Sequence, residues 1–301
     1  MSATPTPHSP TTVAVLGTGV MGSSMARNAA RYGLDVKAWS RPLSDARRLE
    51  GDGIASCDTA REAATGADLV VTMVPDARAI ESFAAGEDGF LGALGPDAVW
   101  IQSSTVGVEP LTRLVGLAER HRVTIVDAPM LGSKEPAEQG ALVVLASGSP
   151  DALARCEPFF TAIARRVLQL GPLGRGSEMK MVTNTWIVSC VGVLAETIAL
   201  AEALDLSGAD FLSAIKGMPF DMDYAQSKGS MMLHDSYPPQ MRLTHAAKDA
   251  RLATDTARAA GLDATIASAV AELMRHGCRL GYGDDDMAAS FRAAGRRATR
   301  G

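Results

Sequence analysis

The stretch Thr12-Val13-Ala14-Val15-Leu16-Gly17-Thr18-Gly19-Val20-Met21-Gly22 decides the fold. A β-branched and apolar run leads straight into G-x-G-x-x-G, and from Met21 to Tyr32 the spacing becomes helical. In that setting the glycines allow a tight turn and close approach of backbone amides, and the helix N-terminus attracts a pyrophosphate. Taken alone the pattern is also that of a Gly-rich turn. Its surroundings argue for more. Strands are predicted over Val13–Gly17, Val36–Ser40, Leu69–Val74, Ala98–Ser103, Val123–Asp127, Leu142–Ser147 and Val167–Leu170, with helix-length segments such as Gly107–Arg120 between most of them. Such alternation builds a parallel sheet from repeated βα units. Gly17, Gly19, Val20, Met21 and Gly22 are therefore read as the cradle of a dinucleotide.

Beyond Gly176 the strand pattern stops, and Ala, Leu, Met and charged residues recur at helical spacing. The expected organisation is a disordered tail over residues 1–11, an α/β dinucleotide-binding domain over 12–175, and an all-helical domain over 176–301 that opens on one long helix. The 301 residues suit two domains, and a net charge of -5 without a basic block gives nothing to recruit nucleic acid or an anionic membrane. Glu196 and Glu202 interrupt the apolar run Trp186–Leu204, which predicts a buried helix rather than a membrane span. Cys57, Cys156, Cys190 and Cys278 are far apart and the five histidines are scattered. No metal site is expected; free thiols in a reducing cytoplasm are.

The end of the second strand bears on which dinucleotide binds. An acidic residue there would accept a ribose 2′-OH, but the chain has Trp39-Ser40-Arg41, with Asp35 at the other end of the strand. Arg41 can clamp a 2′-phosphate with Ser40 and Ser44 as hydroxyl donors, so NADPH/NADP+ is the expected cofactor. Among the six lysines, Lys180 lies four residues before Asn184, so both project from one helix face. Lys248-Asp249 falls on a later helix. Carbonyl reduction needs a proton donor for the developing alkoxide, and a partly desolvated lysine suits that work. A solvated helix face reads the same on spacing alone.

From Thr12 to about Phe291 the chain resembles the β-hydroxyacid dehydrogenases, a family that includes 3-hydroxyisobutyrate dehydrogenase and the glyoxylate/succinic semialdehyde reductases. The resemblance lies in Gly17 through Ala26, Met73-Val74-Pro75-Asp76, Ser103-Ser104-Thr105-Val106, Asp127 through Ser133 with Pro136-Ala137-Glu138 and Gly140-Ala141-Leu142. It continues in Gly176 through Lys180 to Asn184, in Lys248-Asp249 with Leu252-Ala253, and in Gly281-Tyr282-Gly283-Asp284. It implies an N-terminal Rossmann domain with a mostly parallel doubly wound sheet, an all-α C-terminal domain, and a homodimer or homotetramer built with the long helix. It implies Lys180 as general acid/base, Asn184 as its assistant, and Lys248 beside the nicotinamide, with Met73, Val74, Pro75 and Thr105 as further cofactor contacts. The run Gly132 through Glu138 is most similar to the semialdehyde reductases, whose cofactor is NADPH.

Where most relatives carry a serine that helps hold a substrate carboxylate, two residues before Ser133, this chain has Leu131. Losing that hydroxyl and adding bulk argues for an altered carboxylate grip, with Gly132 and Ser133 supplying backbone amides. Lys228, in a Lys-Gly pair like that of the semialdehyde reductases, is a candidate grip on an anionic substrate. The methionines at 218, 222, 231, 232 and 241 read as core filling or as an adaptable pocket. Together these imply an NADPH-dependent reductase of a small carbonyl compound. An imine reductase of related fold and a cofactor-binding scaffold without turnover are the alternatives.

Overall fold

A computed structural model describes residues 11–295. The expected tail lies, Thr11 apart, outside the described residues. The chain falls into two compact units that meet in sequence between Lys180 and Met181.

The first unit runs β1 (Thr12–Leu16), α1 (Val20–Arg31), β2 (Asp35–Trp39), α2 (Leu43–Arg47), β3 (Ala55–Ser56), α3 (Ala60–Ala64), β4 (Leu69–Thr72), α4 (Ala77–Ala84), β5 (Val99–Gln102), α5 (Val108–His121) and β6 (Thr124–Asp127). These strands form one six-stranded sheet, order β3-β2-β1-β4-β5-β6, parallel throughout. Alternate residues feed two cores, as the two-residue period of a strand requires. Val13, Val15, Val71 and Ile101 face α1 and its neighbours, while Ala14, Leu16, Val70 and Trp100 join residues of α3, α4 and α5.

The chain then makes β7 (Met130–Leu131), α6 (Lys134–Glu138), β8 (Leu142–Ala146), α7 (Pro150–Ile163) and β9 (Ala164–Gln169). Here the expectation of a single seven-strand alternation needs correcting. β7, β8 and β9 form their own three-stranded sheet, with β7 antiparallel and β9 parallel to β8. One antiparallel bridge, Asp127 to Ser147, ties it to the end of β6. Pro129 has no N–H with which to extend β6, and its carbonyl accepts from Leu145 N–H at 2.9 Å instead.

Helix α8 (Arg175–Ala203) crosses the boundary, and α9 (Gly208–Ile215), α10 (Asp223–Leu233), α11 (Leu243–Ala259) and α12 (Thr265–Gly277) complete an all-helical second unit, closed by a 3-10 helix over Met287–Ala293. The α8 residues Val188, Val191, Ala195 and Ile198 lie in this unit's core with Met232, Ala246, Ala250, Val270 and Met274. Met222, Met231 and Met241 pack against that core, which favours the core-filling reading of the methionine stretch. The opposite face of α8 is not buried as the apolar run predicted: Val182, Trp186, Val193 and Leu200 are all more than half exposed. By length and composition alone α8 could cross a bilayer.

Candidate active site

The loop after β1 is built for close approach. Gly17 has φ +101°, and a Cβ there would sit 2.4 Å from Met73 O, at the switch point between β1 and β4. A Cβ on Gly22 would sit against Gly17 O, so α1 packs directly on the turn. At Gly19 a Cβ would enter open space. Gly19 is the N-cap of α1 and, among the described residues, no side chain caps that helix, so the first-turn amides suit an anion. Among the described residues the buried Thr18 hydroxyl beside them finds no hydrogen-bond partner. A pyrophosphate fits this loop: Gly19 leaves it room, the amides of Val20 and Met21 supply donors, and the Thr18 hydroxyl would gain a partner.

The end of β2 abuts the same loop. Gly17 N–H donates to Trp39 O at 2.8 Å and Thr18 N–H to Ser40 Oγ at 3.2 Å. Ser40 is buried. Its placement makes it a support for the loop before it is a donor to a phosphate. Arg41 is exposed, lies 5.4 Å over the Trp39 ring, and donates from Nη2 to Ser82 Oγ at 3.2 Å. Stacking and the Ser82 bond hold a guanidinium at the β2 end while leaving it at the surface. Across the switch point, Val74 N–H donates to Ser104 Oγ at 2.8 Å. The Gln102 amide brackets Ser104 on both its N–H and its carbonyl, which fixes the turn carrying Thr105. Met73 and Val74 are half-buried and Pro75 is exposed.

Lys180 lies in the second turn of α8, only 9% exposed, and its Nζ donates to Met130 O at 2.7 Å. Met130 belongs to β7, so Leu131 is the next residue and Gly132-Ser133 follow. Gly132 has φ +126°, a conformation suited to glycine, with Leu142 and Pro136 crowding its Cβ position. Ser133 stands at the N-cap of α6 without a side-chain cap. Leu131 is half-buried. The structure thus brings Lys180 to the Met130–Ser133 segment, which the sequence connected only through motifs.

Asn184, one turn along α8, is buried and donates from Nδ2 to Asp249 Oδ2 at 3.0 Å. Asp249 Oδ1 pairs with Lys248 Nζ at 2.7 Å. Asp249 links the two candidates, a part the sequence reading gave it no role in; its only signal was adjacency to Lys248. The bond from Nδ2 also fixes which way the Asn184 amide faces. His245, one turn before Lys248, has its pKa lowered by burial and then by the Lys248 charge.

Lys228 does not suit the role expected of it. It is 2% exposed and its Nζ lies 2.7 Å from Asp286 Oδ1. Asp286 Oδ2 accepts from the amides of Gln240 and Met241. The Lys228 charge is spent inside the helical unit, and gripping a substrate anion would strand a buried carboxylate.

Residues 12–171 match the family model of the NAD-binding domain of 6-phosphogluconate dehydrogenase. Residues 174–294 match that of the NAD-binding domain of NADP-dependent 3-hydroxyisobutyrate dehydrogenase. Glyoxylate/succinic semialdehyde reductase 1 of Arabidopsis thaliana is 30% identical over 93% of this chain and 97% of its own. The 3-hydroxyisobutyrate dehydrogenase of Mycobacterium tuberculosis, solved with L-serine, is 26% identical, with a TM-score of 0.84 over 94% of this chain and 99% of that one. The Salmonella typhimurium 3-hydroxyisobutyrate dehydrogenase, 24% identical, shares the fold at a TM-score of 0.85 over 94% and 99% of the two chains. A parallel sheet with its glycine loop at the switch point, followed by a helical unit, and these matches along both, place the chain in the β-hydroxyacid dehydrogenase family of nicotinamide-dependent oxidoreductases.

Proposed function

We propose that the protein is an NADPH-dependent reductase that converts a small aldehyde or keto acid, of the semialdehyde type, to the hydroxy acid. The observation that carries this reading is the buried Lys180 ammonium beside the Met130–Ser133 segment. When bound, the nicotinamide supplies the hydride that adds to the carbonyl carbon. Lys180 gives a proton from Nζ to the carbonyl oxygen and regains one from solvent. Asn184, its amide set by Asp249, orients the lysine or the nascent hydroxyl. Arg41 holds a 2′-phosphate, with no acidic residue at the end of β2 to repel it. The amides of Gly132 and Ser133 take the carboxylate, and Leu131 favours a substrate with more apolar body.

The free cysteines accord with a reducing cytoplasm. The apolar outer face of α8 supports a homo-oligomer: a helix apolar on both faces calls for burial on both. The test is a panel of glyoxylate, succinic semialdehyde, methylmalonate semialdehyde and a cyclic imine, followed by NADPH oxidation. One of the acids should be turned over best. Turnover of the imine alone would move the protein to imine reduction, and turnover of none would leave a binding scaffold.

A further inference from the structure

The first turn of α8 is held by residues that lie far from it in sequence. Asp127, at the end of β6 and fully buried, accepts from Ser177 N–H and from Ser177 Oγ, each at 2.7 Å, one on each carboxylate oxygen. Ser147, across the bridge from Asp127, accepts at Oγ from Gly176 N–H at 2.9 Å and from Gly174 N–H at 3.2 Å. The same hydroxyl lies 3.2 Å from Asp127 Oδ2. The helix amides left over at this N-terminus are thus satisfied by a clasp on the sheet. Its closeness is enforced by Gly176, whose Cβ position lies 2.3 Å from Leu145 O and 2.9 Å from Asp127 O.

Lys180 follows Ser177 by three residues and so stands on the same helix face. Its ammonium meets Met130 O, three residues after Asp127 on the same segment. The backbone of the lysine's helix and its charged end are therefore both fixed by residues 127–130.

We propose that Asp127 is a positioning residue for Lys180: by gripping Ser177 through both carboxylate oxygens it sets the rotation and height of α8 at which Lys180 Nζ reaches Met130 O. The proposal rests on the reading of Lys180 as the acid/base only for its kinetic consequence; the placement of the ammonium can be read without turnover.

The test compares Asp127→Ala, Asp127→Asn, Ser177→Ala and Lys180→Met in the full-length protein, well below each melting temperature. Trace acetic anhydride labelling read by mass spectrometry gives the reactivity of each lysine, with exposed Lys134 as internal reference. In Asp127→Ala, Lys180 should label at least about fivefold faster relative to Lys134, since the helix turn loses its grip. Asn can accept from Ser177 N–H and donate to Ser177 Oγ, so Asp127→Asn should label within about twofold of the parent. Ser177→Ala keeps the backbone bond and should fall between, which covers the case in which Asp127→Ala does not fold. With succinic semialdehyde and NADPH, Asp127→Ala should lose about tenfold or more in kcat with KM changed less than threefold, because a misplaced proton donor costs rate rather than binding. Unchanged Lys180 labelling in both Asp127→Ala and Ser177→Ala overturns the proposal. Undiminished kcat in Lys180→Met would instead overturn the reading of Lys180, and the labelling would still decide for Asp127.

Discussion

Lys180 pays for its burial with an engaged ammonium: it is held by Met130 O, on the segment that carries Leu131 and the Gly132-Ser133 amides. Lys180→Met should therefore lower kcat by roughly 10² or more while leaving the NADPH dissociation constant nearly unchanged, as checked by single-turnover kinetics and cofactor fluorescence. Near-normal turnover, with product release shown not to mask chemistry, would assign the proton to another group. Arg41 can be tested through the cofactor alone. Its guanidinium stacks on Trp39 at the β2 end, so NADPH should bind at least about tenfold more tightly than NADH, a difference of about 1.4 kcal/mol. Arg41→Asp should erase or reverse that preference, and equal affinities in the parent would reject the clamp. Leu131→Ser adds a hydroxyl to the Lys180 neighbourhood and frees space, so kcat/KM for glyoxylate or succinic semialdehyde should rise about tenfold, with bulkier apolar carbonyls disfavoured. An unchanged substrate ranking with lower stability would mean that Leu131 only packs.

At the scale of elements, what could be read from sequence was what is local. The β1–loop–α1 unit is legible because the G-x-G-x-x-G spacing, the packing of Gly22 on Gly17 O and the uncapped helix start all lie within a few residues of one another, although the crowding that demands Gly17 comes from Met73, 56 residues on. The strands β3 and β7 are two residues long, too short for any period to appear, and with β7 went the separate small sheet. Bonds across long separations were equally silent: Asp127 to Ser177 spans 50 residues and Asn184 to Asp249 spans 65. Lys228 misled because its motif gave its type and neighbour but not Asp286, 58 residues on. The clasp between β6 and α8 also has an acid–base signature. Burial raises the pKa of Asp127 from 3.8 to about 6, against the lowering by bonds from Ser177 and Ser147. A raised carboxyl pKa means that the folded state takes up a proton near pH 6 that the unfolded chain takes up only near 4. The associated stability is fully present below the unfolded value and is lost as pH rises through about 6, on the order of 3 kcal/mol for the whole shift. Asp127→Asn should flatten this part of the stability curve between pH 4 and 6.5 and raise the melting temperature at pH 8. Denaturant titrations across that range check it; a slope identical to the parent's would place the proton elsewhere. A carboxylate that costs stability at neutral pH and yet occupies the clasp is easier to understand as a grip on α8 than as core filling.

At the scale of the whole molecule, α8 is the element whose two faces must both be accounted for. Its inner face follows a coiled-coil-like period, with Val188, Val191, Ala195 and Ile198 in the core of the helical unit. The outer face carries Val182, Trp186, Val193 and Leu200 at exposures from 52% to 65%, followed by Leu204. Trp186 is 65% exposed within this stripe, and burying such large side chains is worth about 2 kcal/mol each. Glu196, exposed, flanks this stripe, which disfavours hydrocarbon as the covering phase because a carboxylate in lipid is costly. A second copy of the same helix, related by a two-fold axis, would cover the stripe and leave the Glu196 carboxylate at the rim. Sedimentation equilibrium should therefore find the protein at twice its 31.4 kDa or more. Trp186→Lys combined with Val193→Lys should shift it to monomer at micromolar concentration, since two charges facing their own copies across the axis repel and cannot be desolvated. The parent is also mixed with neutral phosphatidylcholine vesicles and floated. If it sediments as a monomer in dilute salt, or rises with the vesicles while the double variant stays behind, the face is not a self-association surface and a lipid contact takes its place.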